Sequence, residues 1–172
     1  MAKKVYQAQV GKESKTAKAI IKNANISLKY STEISNQFKG MYLDKAVAKL
    51  ERIAAHEEYL PLMQYHKKVA HRKGDATNGV KSGRYPEKTV AKYLELFALV
   101  KNNADSKGLD VDNLNIIHMF ASKGMSRHSY QSNGKIAGKA RRVNATHIEV
   151  IVSEVKKWLK ENLFKRISTK WI

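Results

Sequence analysis

The chain has no cysteine, which excludes disulfide scaffolds, Cys-based zinc sites and thiol catalysis. No stretch approaches the ~20 consecutive apolar residues that a membrane span needs. The amino end, Met1-Ala2-Lys3-Lys4-Val5-Tyr6-Gln7, has no apolar run after its lysines, so no secretory leader is expected there. Acid is also scarce. Asp and Glu number 15 against 33 Lys and Arg, a formal net charge of +18 over 172 residues. Ten of the fifteen acids fall in two blocks, residues 33–58 and 87–112. Elsewhere they nearly vanish, and residues 113–148 hold six Lys or Arg and no acid at all.

Such a charge repels itself, so the working state is expected to include a polyanion. A surface charged only for solubility would intersperse both signs, and this one segregates them. Nucleic acid is therefore the first candidate partner and an anionic membrane surface the second. An apolar content of 42% is enough for one core, and the length suits one compact domain with basic extensions. The expected protein is soluble, intracellular and strongly basic.

Residues 1–22 are lysine-rich with little periodicity and read as a basic, extended N-terminal arm. Residues 23–29 alternate between apolar Ala24, Ile26 and Leu28 and polar neighbours, predicting a half-buried strand. Ser31 stands where a helix N-cap belongs, with Glu33 in the first turn and Ile34 and Phe38 one turn apart. Gly40 closes that helix. A second helix starts near Asp44, with the stripe Leu43, Val47, Leu50, Ile53 and Ala54, and stops before Pro61. Residues 62–85 read as a long basic loop. Pro86 opens a third helix with the stripe Val90, Tyr93, Leu94, Phe97, Val100 and Ala104, closed at Lys107-Gly108.

The carboxyl third reads as β. Leu114, Ile116, His118 and Phe120 alternate with their neighbours, as do Ile148, Val150 and Val152. Asn133-Gly134 predicts a type I′ turn between the two runs. Paired residue numbers would then total 267, setting Leu114 opposite Ser153, Ile117 opposite Val150 and Phe120 opposite His147. Beyond the apolar pairing, residues 123–145 form an outer ribbon reaching about 35 Å at ~3.3 Å per residue. It carries Lys123, Arg127, Lys135, Lys139, Arg141 and Arg142 and no acid. A lone two-stranded ribbon is marginal in water, and burying these cations in protein would cost several kcal/mol per unpaired ion. RNA folded around the ribbon answers both problems. The tail, residues 156–172, is basic and reads as a short amphipathic helix on Trp158, Leu159 and Leu163.

The remaining signals are weak. His66 and His71 are five apart without a carboxylate between them, and His118 and His147 suit packed imidazoles, so no metal site is expected. Gly11-Lys12-Glu13-Ser14 lacks the upstream glycine of a phosphate-binding loop. Tyr65, Tyr85 and Tyr130 stand among the cations, where they could stack on bases.

Several stretches together carry a family resemblance. Lys39-Gly40-Met41 before a helix over 44–53 is similar to the start of the universal large-subunit ribosomal proteins of the L-twenty-two family, called L-seventeen in eukaryotes. Gly83-Arg84-Tyr85-Pro86-Glu87-Lys88-Thr89 resembles the family's Gly-Arg-Trp-Pro-Lys-Lys-Ser. Residues 107–114 (Lys-Gly-Leu-Asp-Val-Asp-Asn-Leu) and 147–154 (His-Ile-Glu-Val-Ile-Val-Ser-Glu) extend the similarity to roughly residues 24–155. The insertion 62–85 is similar to the archaeal and eukaryotic branch.

The resemblance implies an α+β fold: three helices packed on a small antiparallel sheet, with a long protruding β-hairpin. The globular rRNA-binding domain would span residues 23–155. The rRNA contacts would fall on Lys67, Lys68, Arg72, Lys73, Lys81, Arg84 and Lys88, and on Lys123, Arg127, Lys139, Arg141 and Arg142 of the hairpin. Its tip, Tyr130, Gln131, Ser132, Asn133, Gly134 and Lys135, would line the nascent-peptide exit tunnel. Partners implied are large-subunit rRNA, neighbouring ribosomal proteins including the L-four family protein, and the nascent polypeptide, all on the cytosolic ribosome. No enzymatic activity, cofactor, membrane partner or homo-oligomer is implied. The rival readings are a free-standing RNA or DNA chaperone and, more remotely, a basic nuclease.

Overall fold

Apolar side chains at steps of three and four build the helices, and runs of β-branched residues build the sheet beneath them. The computed structural model describes residues 6–8, 13–73, 79–135 and 138–155. Among them the order is β1 (Thr16–Ala24), α1 (Leu28–Phe38), α2 (Leu43–Ala54), β2 (Leu60–Pro61), β3 (Gly83–Arg84), α3 (Glu87–Asp105), β4 (Leu114–Tyr130) and β5 (Ala140–Glu154). β5 is the central strand of an antiparallel sheet ordered β1-β5-β4, while β2 and β3 form a separate two-stranded pair. The class is α+β, with three α-helices and a long β4–β5 hairpin.

One core joins the layers. Ile34, Phe38, Leu50, Ile53, Tyr93, Leu96, Phe97 and Val100 pack on Leu114, Ile116, Ile148, Val150 and Val152, all buried. α3 lies over β1, α1 over β4, and α2 packs on α3. The third helix buries Leu96 completely, whereas Leu94 of the expected stripe is only partly covered. Gly40, at φ +86°, turns the chain between α1 and α2 in a conformation glycine adopts freely. That turn is tied to the sheet: Gly40 N–H donates to Ile116 O at 2.8 Å, and Ile116 N–H to Met41 O at 2.9 Å.

The amino-terminal reading needs correction. Residues 16–22 are not arm but strand, paired with β5 from Thr16↔Ser153 to Ile21↔Ile148. Ala17 and Ala19 are buried and Ile21 packs on the core, while Lys18 and Lys22 alternate to the other side. The lysines disguised the period of two, and alanine is too small to announce a core position. The expected strand over 23–29 does not form, since β1 ends at Ala24 and α1 starts at Leu28. Ser31 is consequently inside the helix, its hydroxyl donating to Ser27 O at 2.9 Å, and Ser27 is the N-cap.

The hairpin register also differs from expectation. Leu114 pairs with Glu154, Met119 with Val150 and Tyr130 with Ala140, so partner numbers total 268, 269 and then 270. Two bulges in β4, between Ile116 and His118 and between Lys123 and Ser126, each insert one residue. The first bulge re-aims the side chains: Met119 and Ala121 turn to the core, and Phe120, paired with Glu149, faces out. Asn133-Gly134 makes no two-residue turn. The strands are joined by residues 131–139, where Gln131 N–H donates to Lys139 O at 3.2 Å and Gly138 N–H to Gln131 O at 2.7 Å. The amphipathic tail expected over 156–172 lies outside the described residues.

Candidate nucleic-acid interface

Two structures project the cations: the loop between β2 and β3, and the outer ribbon. The loop is organised by a buried acid. Glu33 of α1, 1% exposed, accepts three backbone N–H groups, from Met63 (3.1 Å), Gln64 (2.7 Å) and Tyr65 (2.8 Å). The returning limb is tied by Leu62 N–H to Ser82 O and Arg72 N–H to Lys81 O, at 2.9 and 2.8 Å. Gly83 is required where the limbs cross, because a Cβ there would stand 2.1 Å from the Tyr59 ring. Residues 62–85 are thus a folded, anchored segment in their described parts, not a loose loop.

This scaffold leaves Lys67, Lys68, Lys73 and Lys81 exposed. Arg72 and Arg84 are half-buried, and their guanidinium groups both donate to Gly83 O at 3.2 Å. Arg72 also covers the Tyr85 ring at 5.4 Å, and His56 stacks on that ring at 4.6 Å with planes 10° apart. His56 in turn meets Glu87 at 2.9 Å. Tyr85 is therefore occupied by protein neighbours and is not a free base-stacking platform. Tyr65 lies beneath Lys29, 5.7 Å away, and Tyr130 is 72% exposed. Lys88 is exposed on the first turn of α3.

The ribbon begins where β1 stops. Ala24 pairs with Thr146, and beyond that point β4 and β5 have only each other. Gly124–Tyr130 extend about 23 Å at ~3.3 Å per residue, shorter than the 35 Å expected because the sheet still holds Lys123 and β4 ends at Tyr130, short of Asn133. Alternation sends Arg127 and Arg141 to one face with Ser129 and Val143, and His128 and Arg142 to the other with Ser126 and Asn144. Arg141 donates to the Gln131 side chain. Both faces are exposed, as are Lys123, Lys139 and the tip residues 132–135.

Electrostatics separate this surface from the helices. Several acids at the helix surfaces are matched locally, as in Lys101–Asp44 (2.7 Å), Lys92–Glu95 (2.6 Å) and the pairs of Glu58 with Lys49 and Arg52. None of the twelve cations assigned to RNA pairs with a carboxylate among the described residues. On β5 the buried Glu149 accepts from Gln7 N–H at 3.1 Å and meets His118 Nε2 at 3.0 Å. Burial, and then the Glu149 charge, hold the Tyr6 phenol above its ordinary value. Among the described residues no group of three or more His, Asp or Glu is placed to hold a metal ion. No described helix is long and apolar enough to cross a membrane.

Sequence reasoning missed two residues that build this surface. Glu33 read as a first-turn charge, but α1 starts at Leu28, so Glu33 stands in the second turn, buried against the loop. Asn23 read as a polar strand position, yet it has φ +55°, and its side chain fastens the root of the ribbon by accepting from Met125 N–H at 3.0 Å. Asn tolerates that backbone region better than most residues, which was the one available signal.

Comparison with known proteins matches residues 19–153 to the family described as Ribosomal protein L22p/L17e. The chain belongs to that family. A large ribosomal subunit protein uL22 of Ignicoccus hospitalis is 43% identical over 144 residues, covering 82% of this chain and 89% of its own. The uL22 protein of Sulfolobus acidocaldarius is 37% identical over 90% of this chain and 100% of its own length. That of Methanosphaera stadtmanae is 34% identical over 90% and 99%. The span matched to the family, residues 19–153, contains the loop between β2 and β3 and both strands of the hairpin up to Ser153.

Proposed function

We propose that this chain is a structural constituent of the large ribosomal subunit of the cytosolic ribosome, where it binds and stabilises large-subunit rRNA. The observation that carries the reading is the ribbon: strands with cations on both faces, no paired acid among the described residues, and, beyond the contacts of Asn23 and Asn25 at its root, no further described strand or helix beside it. A protein partner would have to bury those charges on two sides, whereas folded RNA presents phosphate to both. Membership of a ribosomal family supplies the context.

The mechanism is electrostatic. Each neutralised phosphate releases counterions, so affinity falls with a log–log salt slope of about −0.7 to −0.9 per contact. Lys67, Lys68, Arg72, Lys73, Lys81, Arg84 and Lys88 form one contact surface, and Lys123, Arg127, Lys139, Arg141 and Arg142 the other. Arg72 and Arg84 present guanidinium groups already fixed on Gly83 O, and fixed donors lose less freedom on binding than the free lysines. The ribbon would pass between RNA segments and set its tip, residues 130–135, at the nascent-peptide exit tunnel beside the L-four family neighbour.

The chain is expected to co-sediment with the large subunit from cell extract through moderate salt. Recovery only as free protein would instead favour a free-standing RNA or DNA chaperone.

A further inference from the structure

The root of the ribbon holds a groove that phosphate neutralisation does not explain. Its volume is about 280 Å³, and Asn23, Asn25, Met125, Arg127, Val143 and Ala145 line it. That is just under the range of drug-sized ligand pockets, the scale of one aromatic base. Its floor is apolar and out of place in water: Met125 is 71% exposed and Val143 43%. Phosphate needs neither an apolar floor nor amides around it.

The groove is preformed. Asn23 backbone N–H donates to His147 Nδ1 of β5 at 2.9 Å while its side-chain Oδ1 accepts from Met125 N–H of β4, so Asn23 is held between the two strands. Gly124 permits this, because a Cβ there would stand 2.7 Å from Asn23 Oδ1 and 3.2 Å from Ala145 O. That arrangement leaves the Asn23 side-chain nitrogen without a partner among the described residues. The Asn25 amide and the Arg127 guanidinium are likewise without a hydrogen-bond partner there. Amide donors and acceptors match base edges, a guanidinium can bind an edge or stack on a ring, and a thioether packs well on an aromatic face.

We propose that this groove receives one unpaired purine base, unstacked from the RNA that surrounds the ribbon. Met125 and Val143 would cover the ring face, and Asn25, Asn23 and Arg127 would read its edge. The inference rests on the RNA-binding reading above and adds a base-specific site to it. Base edges, not phosphates, carry sequence information, so the ribbon's root would fix its register on the RNA.

The test uses the full chain with two RNA stems, one carrying a single unpaired 2-aminopurine and the other the same base paired. The unpaired stem is expected to bind about tenfold tighter, with its fluorescence changing on binding. Asn25→Ala combined with Met125→Ala is expected to erase the difference; both side chains are exposed, so the fold is retained. Lys139→Ala should weaken both stems alike and keep the preference. Equal affinity for the two stems with unchanged fluorescence overturns the base site and leaves the phosphate-binding reading standing. A preference that survives the double substitution places the base elsewhere and also overturns the proposal. Failure to bind either stem overturns both readings.

Discussion

Glu33 is a buried acid in a chain of net charge +18, and three N–H groups of one loop converge on its carboxylate. Hydrogen bonds to a charged acceptor are about twice as strong as neutral ones, and removing this one leaves three donors unmatched. Glu33→Ala is expected to lower the unfolding free energy by about 3 kcal/mol, measured by urea denaturation. The same variant should expose Met63–Tyr65 amides to hydrogen exchange. Tyr93 is the other residue whose environment dictates a measurable property. Its hydroxyl donates to Ser31 O and meets Ser35 Oγ, both at 3.0 Å. Burial raises its pKa above the ordinary value of 10.0, against the opposing effect of those hydrogen bonds. A raised phenol is neutral in both states below the unfolded value, so its contribution is constant there. Stability falls as pH climbs past ~10, where only the unfolded chain releases the proton. The stability difference between the parent and Tyr93→Phe should therefore be flat below pH ~10 and change above it, as read by denaturation at stepped pH. Tyr93 was legible as a core position from helical spacing. Glu33 was not, because a lone acid near a helix start reads as a solvated first-turn charge.

At the scale of elements, the helices were legible and the strands only in part. The stripes of α2 and α3 repeat at three and four, and Gly40 and Pro86 mark their flanks. β1 was hidden because its inward residues include Ala17 and Ala19, which carry little hydrophobic signal. The hairpin was visible as a hairpin, yet its register was not. Asn133-Gly134 suggested a turn centre that two bulges and a longer connection shift by up to three in the partner total. Bulges leave no reliable mark in composition, although Gly124 marks the second. The sheet and the ribbon differ in support: Ile116–Ser122 stand in the sheet beside β5, while Ser126–Tyr130 pair with Ala140–Asn144 alone. In the free protein, amides of residues 126–130 and 140–144 are expected to exchange far faster than those of 119–122. Added large-subunit rRNA should slow them. Ribbon amides as protected as the sheet without RNA would remove the reason for an RNA-dependent ribbon.

For the whole molecule, charge is divided by role. The helical layer pairs several of its surface acids with nearby basic side chains, and the loop and ribbon keep their cations unpaired with any described carboxylate. That division was readable from the sequence as two acidic blocks set among acid-poor stretches, with residues 113–148 holding no acid at all. The anchoring of the loop on Glu33, the fixing of Arg72 and Arg84 on Gly83 O, and the clamp at Asn23 were not, since each joins residues distant in the chain. The most direct measurement is ultraviolet crosslinking of the chain in cells followed by sequencing of the RNA and mapping of the crosslinked peptides. Crosslinks are expected to concentrate on large-subunit rRNA, with peptides from residues 123–145 on at least two RNA segments, one for each face of the ribbon. Crosslinks scattered over messenger and small-subunit RNA, or none from the ribbon, would contradict the rRNA-binding reading.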